Sequence, residues 1–185
     1  MRFRTTILIS VLLAAAGLAH AAEETPLLAN SPTVSKTQVV FAYGGYLWSV
    51  PRDGGDARQL TTGGHEGVPV FSPDGKWIAF TGQYDGNADV YIMPAGGGEP
   101  VRLTWHPGQD WVVGWTPDSK RVLFFSDREA YADFTRFYTV TVEGGVAEAL
   151  PMWRAFSGSY SPDGTRIADV PNFQWQEAWK RYRGG

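Results

Sequence analysis

The sequence contains no cysteine. No disulfide, thiolate metal ligand or cysteine nucleophile is available, and no lipid can be attached through an N-terminal cysteine. If the chain is exported, it must hold its fold by packing alone. Histidine is almost as scarce, with three in 185 residues. His20 lies just past the N-terminal apolar segment, and His65 and His106 stand in "GGHEG" and "WHPGQDW", neither of which has metal-ligand spacing. No G-x-S-x-G elbow is present, and no glycine-rich loop opens a helix to cradle phosphate. "FSGSYSP" (156–162) resembles an elbow only superficially, and Ser157, Ser159 and Ser161 read as structural. Charge is sparse too: 19% of residues, with a formal net charge of −3. That balance gives no general reason to expect nucleic acid or an acidic membrane as partner. No catalytic, cofactor-binding or metal-ligating residue is assigned on these grounds, and no cofactor is expected.

A helical period is missing as well. Outside the N-terminus no window of helical length places apolar residues every 3.6 positions. The first 21 residues read as an export signal: Arg2 and Arg4 are basic, Ile7 to Leu18 are apolar, and Ala19-His20-Ala21 gives an A-x-A cleavage site. The apolar run is short of the roughly 20 residues that a membrane span needs, which weighs against a retained anchor. Cleavage after Ala21 would start the mature chain at Ala22 and place it in the periplasm or outside the cell. Loss of Arg2 and Arg4 takes the net charge from −3 to −5.

What the sequence has in quantity is turns and aromatics, with 22 Gly, 12 Pro and 14% aromatic residues. They fall in a repeat. "FSPDGKWIAF" (71–80) returns as "WTPDSKRVLF" (115–124) and, more weakly, as "YSPDGTRIAD" (160–169). Pro73, Pro117 and Pro162 are thus spaced by 44 and 45 residues. Leu47-Trp48, Val90-Tyr91 and Phe137-Tyr138 correspond, as do Leu60-Thr61, Leu103-Thr104 and Leu150-Pro151. Between them lie Gly54-Gly55, Gly97-Gly98 and Gly144-Gly145. Each unit reads as four antiparallel strands, with Pro-Asp-Gly presetting the first turn and the glycines a later one. Four strands per unit of this length is the pattern of a β-propeller blade. The fold class expected is all-β, a partial β-propeller of about three and a half four-stranded blades.

The blades are placed at about 27–61, 68–104, 111–151 and 156–185. Ser31-Pro32 is taken as a degenerate copy of the Ser-Pro turn opening blade one. "AWKRYR" (178–183) matches "DVYIMP" (89–94), so the sequence stops one strand short of a fourth blade. A closed ring typically needs about four to eight blades, so the sequence is expected to be part of a longer chain. Strand alternation puts the S/T-P-D and glycine turns on one face. The second-to-third-strand loops and the blade-to-blade crossings fall on the other. There the loops lengthen from "QYDGNA" to "DREAYADFTR" (127–136) and "PNFQWQEA" (171–178), gathering Asp127, Arg128, Glu129, Asp133, Arg136, Phe173 and Trp175. Two readings stand for this group, a solvated rim or a binding surface.

"FSPDGKWIAFTGQYDGNADVYIMPAGGGEPVRLTWHPG" resembles the repeats of Tol-type periplasmic propellers and of several peptidases. "GWTPDSKRVLFFSDRE", "RFYTVTVEGGVAEALP", "GSYSPDGTRIAD" and "WKRYRGG" more closely resemble the N-terminal propeller of bacterial tricorn protease homologues. "VVFAYGGYLWSVPRDGGDARQLT" is similar to that family's opening blade, and the resemblance covers residues 25–185. Ser119 departs by replacing a turn glycine, and Asp169 by standing where other repeats carry Phe.

The resemblance implies a large serine peptidase acting on oligopeptides, with further propeller, PDZ and catalytic domains in the same chain and a homo-oligomeric assembly. Its propellers are thought to filter or conduct peptides. The catalytic residues would lie beyond residue 185, so none is carried over. Some members hold the peptide C-terminus with propeller arginines; Lys180, Arg181 and Arg183 are only neighbours in kind. The alternative is a non-enzymatic Tol-type binding propeller.

Overall fold

The computed structural model describes residues 28–63, 65–129 and 134–171. The export signal, Asp133, Phe173, Trp175 and the strand "AWKRYR" lie outside them.

Among the described residues there are fourteen strands and no helix. β1 (Asn30–Val34), β2 (Gln38–Tyr43), β3 (Tyr46–Pro51) and β4 (Arg58–Gln59) form the first sheet, in that order. β5 (Glu66–Phe71), β6 (Trp77–Gly82), β7 (Asp89–Pro94) and β8 (Val101–Arg102) form the second. The third comprises β9 (Asp110–Trp115), β10 (Arg121–Ser126), β11 (Arg136–Thr141) and β12 (Gly144–Ala149). β13 (Ser157–Tyr160) and β14 (Ile167–Val170) pair as the described part of a fourth. Every pairing is antiparallel between consecutive strands. First strands of neighbouring sheets pack together, β1 on β5, β5 on β9 and β9 on β13. They form the inner edge about which the sheets fan out, which is the architecture of a partial β-propeller.

The middle strands are apolar at nearly every position because both faces of a sheet are covered. In β6 and β7, Ile78, Phe80, Tyr91 and Met93 pack with Val40, Ala42 and Leu47 of the first sheet. The intervening Ala79, Val90 and Ile92 pack with Val112, Trp115, Val122, Phe124, Tyr138 and Val140 of the third. Leu123 and Phe137 then look the other way, toward Tyr160 and Ile167 of the fourth. Phe80 stacks on Tyr91 and Phe124 on Tyr138, each pair with ring centroids 5.7 Å apart. Each fully buried side chain of this size contributes about 1.5–3 kcal/mol, so the seams between sheets hold the fold.

The turns are built as their residues dictate. Ser72 Oγ donates to Asp74 Oδ1 at 2.6 Å and accepts the Trp77 N–H at 3.0 Å. Thr116 with Asp118, and Ser161 with Asp163, repeat the first of these bonds. The glycine pairs have positive φ throughout, for example 93° and 147° at Gly97 and Gly98.

Ser31-Pro32 is a correction. It is no turn but lies inside β1, where the ladder shifts between Asn30 and Thr33 and Ser31 has φ 50°. Its structural equivalent is Val68-Pro69, in the corresponding shift of β5, with Val68 at φ 51°. The turn of the first sheet is instead Ser35-Lys36-Thr37, without proline, aspartate or glycine. Ser35 Oγ alone accepts the N–H groups of Thr37 and Gln38, at 3.3 and 3.1 Å. Proline following a bulged, positive-φ residue gives the same dipeptide as a Ser-Pro turn, and the sequence does not tell them apart.

Candidate functional site

The S/T-P-D and glycine turns do share one face. The Asp74 N–H donates to Ser119 Oγ of the next turn at 3.0 Å, and Gln38 Nε2 donates to the Ala95 carbonyl at 2.7 Å. The opposite face is sewn together by its loops. Asn87 Nδ2 donates to the His106 carbonyl at 2.9 Å, and the Gln109 N–H to Asp127 Oδ1 at 2.7 Å.

This loop face carries a recurring clasp. The first strand of the second and third sheets begins with a buried acid, and the residue two positions past the second strand closes on it. Tyr84 Oη donates to Glu66 Oε1 at 2.7 Å, and Arg128 Nη2 pairs with Asp110 Oδ2 at 2.6 Å. Burial and the Glu66 carboxylate push the Tyr84 hydroxyl far above its ordinary value. Arg102 pairs with Asp89 at 2.6 Å and Asp85 at 2.7 Å, and its guanidinium lies 4.2 Å from the centre of the Trp105 ring. Burial raises Asp89 and the nearby Asp110 adds to this, while Arg102 pulls it back.

Of the sequence-selected group, the fold brings Asp127, Arg128, Glu129 and Arg136 together. Most are engaged internally: Arg136 holds Glu129 at 2.8 Å and the Met152 carbonyl at 3.1 Å. Arg128 lies 4.9 Å from the Tyr138 ring centre and 5.2 Å from that of Phe124. What reaches solvent was missed. Trp105 is 73% exposed and Trp153 76%. Arg154 sits 3.5 Å over the Phe134 ring, with its buried Nε unbonded. The available signal was position, since both tryptophans fall in crossings, just past the Leu103-Thr104 and Leu150-Pro151 repeat marks.

His65 is exposed, and its carbonyl accepts the Gln83 N–H at 3.0 Å. His106 Nδ1 accepts the Gly108 N–H at 2.9 Å. Ser159 Oγ donates to the Tyr160 carbonyl, and Ser161 belongs to its turn. Among the described residues no group of three or more His, Asp or Glu is placed to hold a metal ion.

The inner edge has a concave surface at each end. A cavity of about 400 Å³ at the turn end is lined by Val70, Val113, Gly114, Ser159 and the repeated Pro73, Pro117 and Pro162, among others. One of about 220 Å³ at the loop end is lined by His65, Glu66, Gly67, Gln83 and Trp111, among others. Such an edge can line a passage and the loop face can hold a partner; the groups described here form no hydrolytic constellation.

The family model for the tricorn protease N-terminal β-propeller domain matches residues 26–185. The chain belongs to that family. Tricorn protease homolog 1 of Streptomyces coelicolor is 32% identical over 144 residues, 75% of this chain but 13% of the homologue. The chain therefore spans about an eighth of that relative's length. The crystal structure of the tricorn protease superposes with a TM-score of 0.65 at 23% identity, over 74% of this chain and 14% of that one. A TolB-like structure from Agrobacterium tumefaciens gives 0.66 at 24% identity, over 76% of this chain and 52% of that one. At these identities the two structures establish the fold alone. For a tricorn-family propeller, inward-bound arginines and outward tryptophans make the loop face a scaffold with a few exposed anchors.

Proposed function

We propose that the chain is the N-terminal, non-catalytic propeller of an exported, tricorn-like serine peptidase that degrades oligopeptides, and that it guides peptide substrate. The match to the tricorn propeller family across residues 26–185 carries this reading. The remaining propeller, PDZ and catalytic domains of the same chain would supply the nucleophile and base, and the full-length protein would be homo-oligomeric. Export rests on the Arg2–Ala21 pattern.

A second reading is a non-enzymatic Tol-type binding propeller, whose fold the chain shares with the TolB-like structure at a TM-score of 0.66. Reading the gene downstream separates the two. PDZ and serine-peptidase sequence supports the first; a stop soon after a sixth blade supports the second.

Residues 22–185 alone are expected to cleave no peptide in a mixed oligopeptide library, because the nucleophile–base pair is not among them. Cleavage that copurifies with the folded chain would refute this. Export is checked by sequencing the N-terminus of periplasmic protein. Ala22 is the expected first residue, and cytoplasmic protein beginning at Met1 would overturn it.

A further inference from the structure

The strands at the inner edge read "NSPTV", "EGVPVF", "DWVVGW" and "SGSY". They contain no lysine or arginine and only two acids. Both acids are buried and held by neighbours, Glu66 by Tyr84 and the Gly63 N–H, Asp110 by Arg128, and of the two Glu66 lines the loop-end mouth. What remains on the edge is neutral: small residues such as Thr33, Gly67, Val113, Gly114 and Ser159, with Phe71, Trp115 and Tyr160 at the turn-end mouth and Trp111 at the loop-end one. Charge is plentiful a few residues away, on the loop face (Asp85, Asp127, Glu129) and on the turns (Asp74, Lys76, Asp118, Lys120). The covered strands β2, β3 and β6 lack charge as well, but at the inner edge the lack falls on strands that join the two mouths.

Three of these strands also break their ladders. The register shifts at Ser31-Pro32, at Val68-Pro69 and between Leu123 and Phe124, opposite Val113. A bulge leaves its extra residue out of the ladder. Each of β1, β5 and β9 is also the last strand of its sheet, with no ladder partner on one side. Some of their backbone groups are taken across the seams, the Phe71 N–H by Thr33 Oγ1, the Val112 N–H by Thr81 Oγ1 and the Val70 carbonyl by Trp115 Nε1, and the rest can meet any peptide alike.

We infer that the inner edge is a charge-neutral guide that engages extended oligopeptides through backbone and small apolar contacts, without regard to the charge of their side chains. This rests on the reading that the propeller guides peptide. A charge fixed in such a wall would hold oppositely charged peptides and repel like-charged ones, and exposed charges lose most of that effect in high salt.

The test uses the full-length protein inactivated with a serine-reactive phosphonate. Three capped octapeptides, acidic, basic and neutral, are titrated at about 0.05 and about 0.5 M salt. The unaltered protein is expected to bind all three within about threefold at both salts. Ser159 is exposed and lines the turn-end mouth, so Ser159→Lys and Ser159→Glu are expected to fold. They should split acidic from basic peptides by about tenfold in opposite senses, with the split collapsing at high salt. Two results overturn the inference: an unaltered protein that already separates acidic from basic peptides by about tenfold or more, or Ser159 variants that change neither. Failure to bind any of the three removes the peptide-guiding reading and this inference with it. Binding with a marked charge preference removes only the inference.

Discussion

Ser119 occupies a turn position that is glycine in two other repeats. Gly75 and Gly164 there have φ of 72° and 71°, and Ser119 is held at 61°. A non-glycine residue pays roughly 1–2 kcal/mol in that region. The hydroxyl offsets this by accepting the Asp74 N–H and so tying one turn to the next, a bond of about 0.5–1.5 kcal/mol. Ser119→Gly removes strain and bond together and should leave stability within about 1 kcal/mol. Ser119→Ala keeps the strain and loses the bond, so it should cost about 1 kcal/mol. Urea unfolding of both decides it; an alanine variant at least as stable as the glycine variant would show that the hydroxyl contributes nothing. The turn acids make a pH prediction. Hydroxyl hydrogen bonds, from Ser72, Thr116 and Ser161, are the largest cause holding Asp74, Asp118 and Asp163 below the ordinary value of 3.8. Their folded pKa is depressed, so the stability they give is complete above 3.8 and disappears as pH falls through the folded values. Asp89 is shifted upward and works in the opposite sense, its contribution weakening as pH rises. Denaturant midpoints should therefore drop below about pH 4, and Asp74→Ala with Asp118→Ala should flatten that limb. An unchanged slope in the double variant would mean other carboxylates control it.

At the scale of strands, all four of a sheet were legible, but not how short the outer one would be in the first two sheets. β6 and β7 announce themselves because burial on both faces demands apolar residues throughout, and the proline and glycine turns bracket them. β4 and β8 are ordered as ladders over only two residues each. An outer strand packs little, so few of its residues are constrained. The loop-face residues were legible as a charged group but not as to which charges are satisfied. That depends on partners some 13 to 18 positions away, as with Arg102 and Asp89, or Arg128 and Asp110. Asp169 illustrates the same limit. The sequence marks it as standing where Phe80 and Phe124 fill a seam, and the structure leaves it exposed at the seam between third and fourth sheets. That seam depends on Gly158. A side-chain carbon there would meet the Ala168 carbonyl and come within 3.0 Å of the Phe137 ring. Gly158→Ala should thus force β13 from β14 or from Phe137, costing about 1–3 kcal/mol as overpacking does. Ser159→Ala, one residue along and exposed, should stay within about 0.5 kcal/mol. Thermal melts of the pair test this; equal melting temperatures would mean the seam yields freely.

The whole molecule is governed by a face of the first sheet. Two bonds fix its register with the second: the Gln38 N–H to Ser35 Oγ parallels Trp77 to Ser72, and the Leu47 N–H to Thr61 Oγ1 parallels Val90 to Thr104. Val39, Phe41, Trp48 and Val50 are thereby the counterparts of Ile78, Phe80, Tyr91 and Met93. In the second sheet those positions are buried against the sheet before, and in the third Val122, Phe124, Tyr138 and Val140 are buried likewise. In the first sheet all four are apolar and none is fully buried. A repeat protein gains most of its stability from interfaces between neighbours, and an exposed apolar face invites association. Residues 22–185 alone are expected to be marginally stable and to self-associate, while a longer product supplying further blades should be monodisperse or cleanly assembled and melt higher. Phe41→Ser with Val39→Ser in the short chain should reduce association without raising the melting temperature, because it removes the sticky face but supplies no neighbour. Size-exclusion chromatography and thermal melting of the three proteins separate the outcomes. A short chain that is monomeric and melts as cooperatively and as high as the longer one would show that these sheets need no further neighbour. Association that persists in the double variant would place it elsewhere, the exposed Val146 of β12 being the next surface to alter.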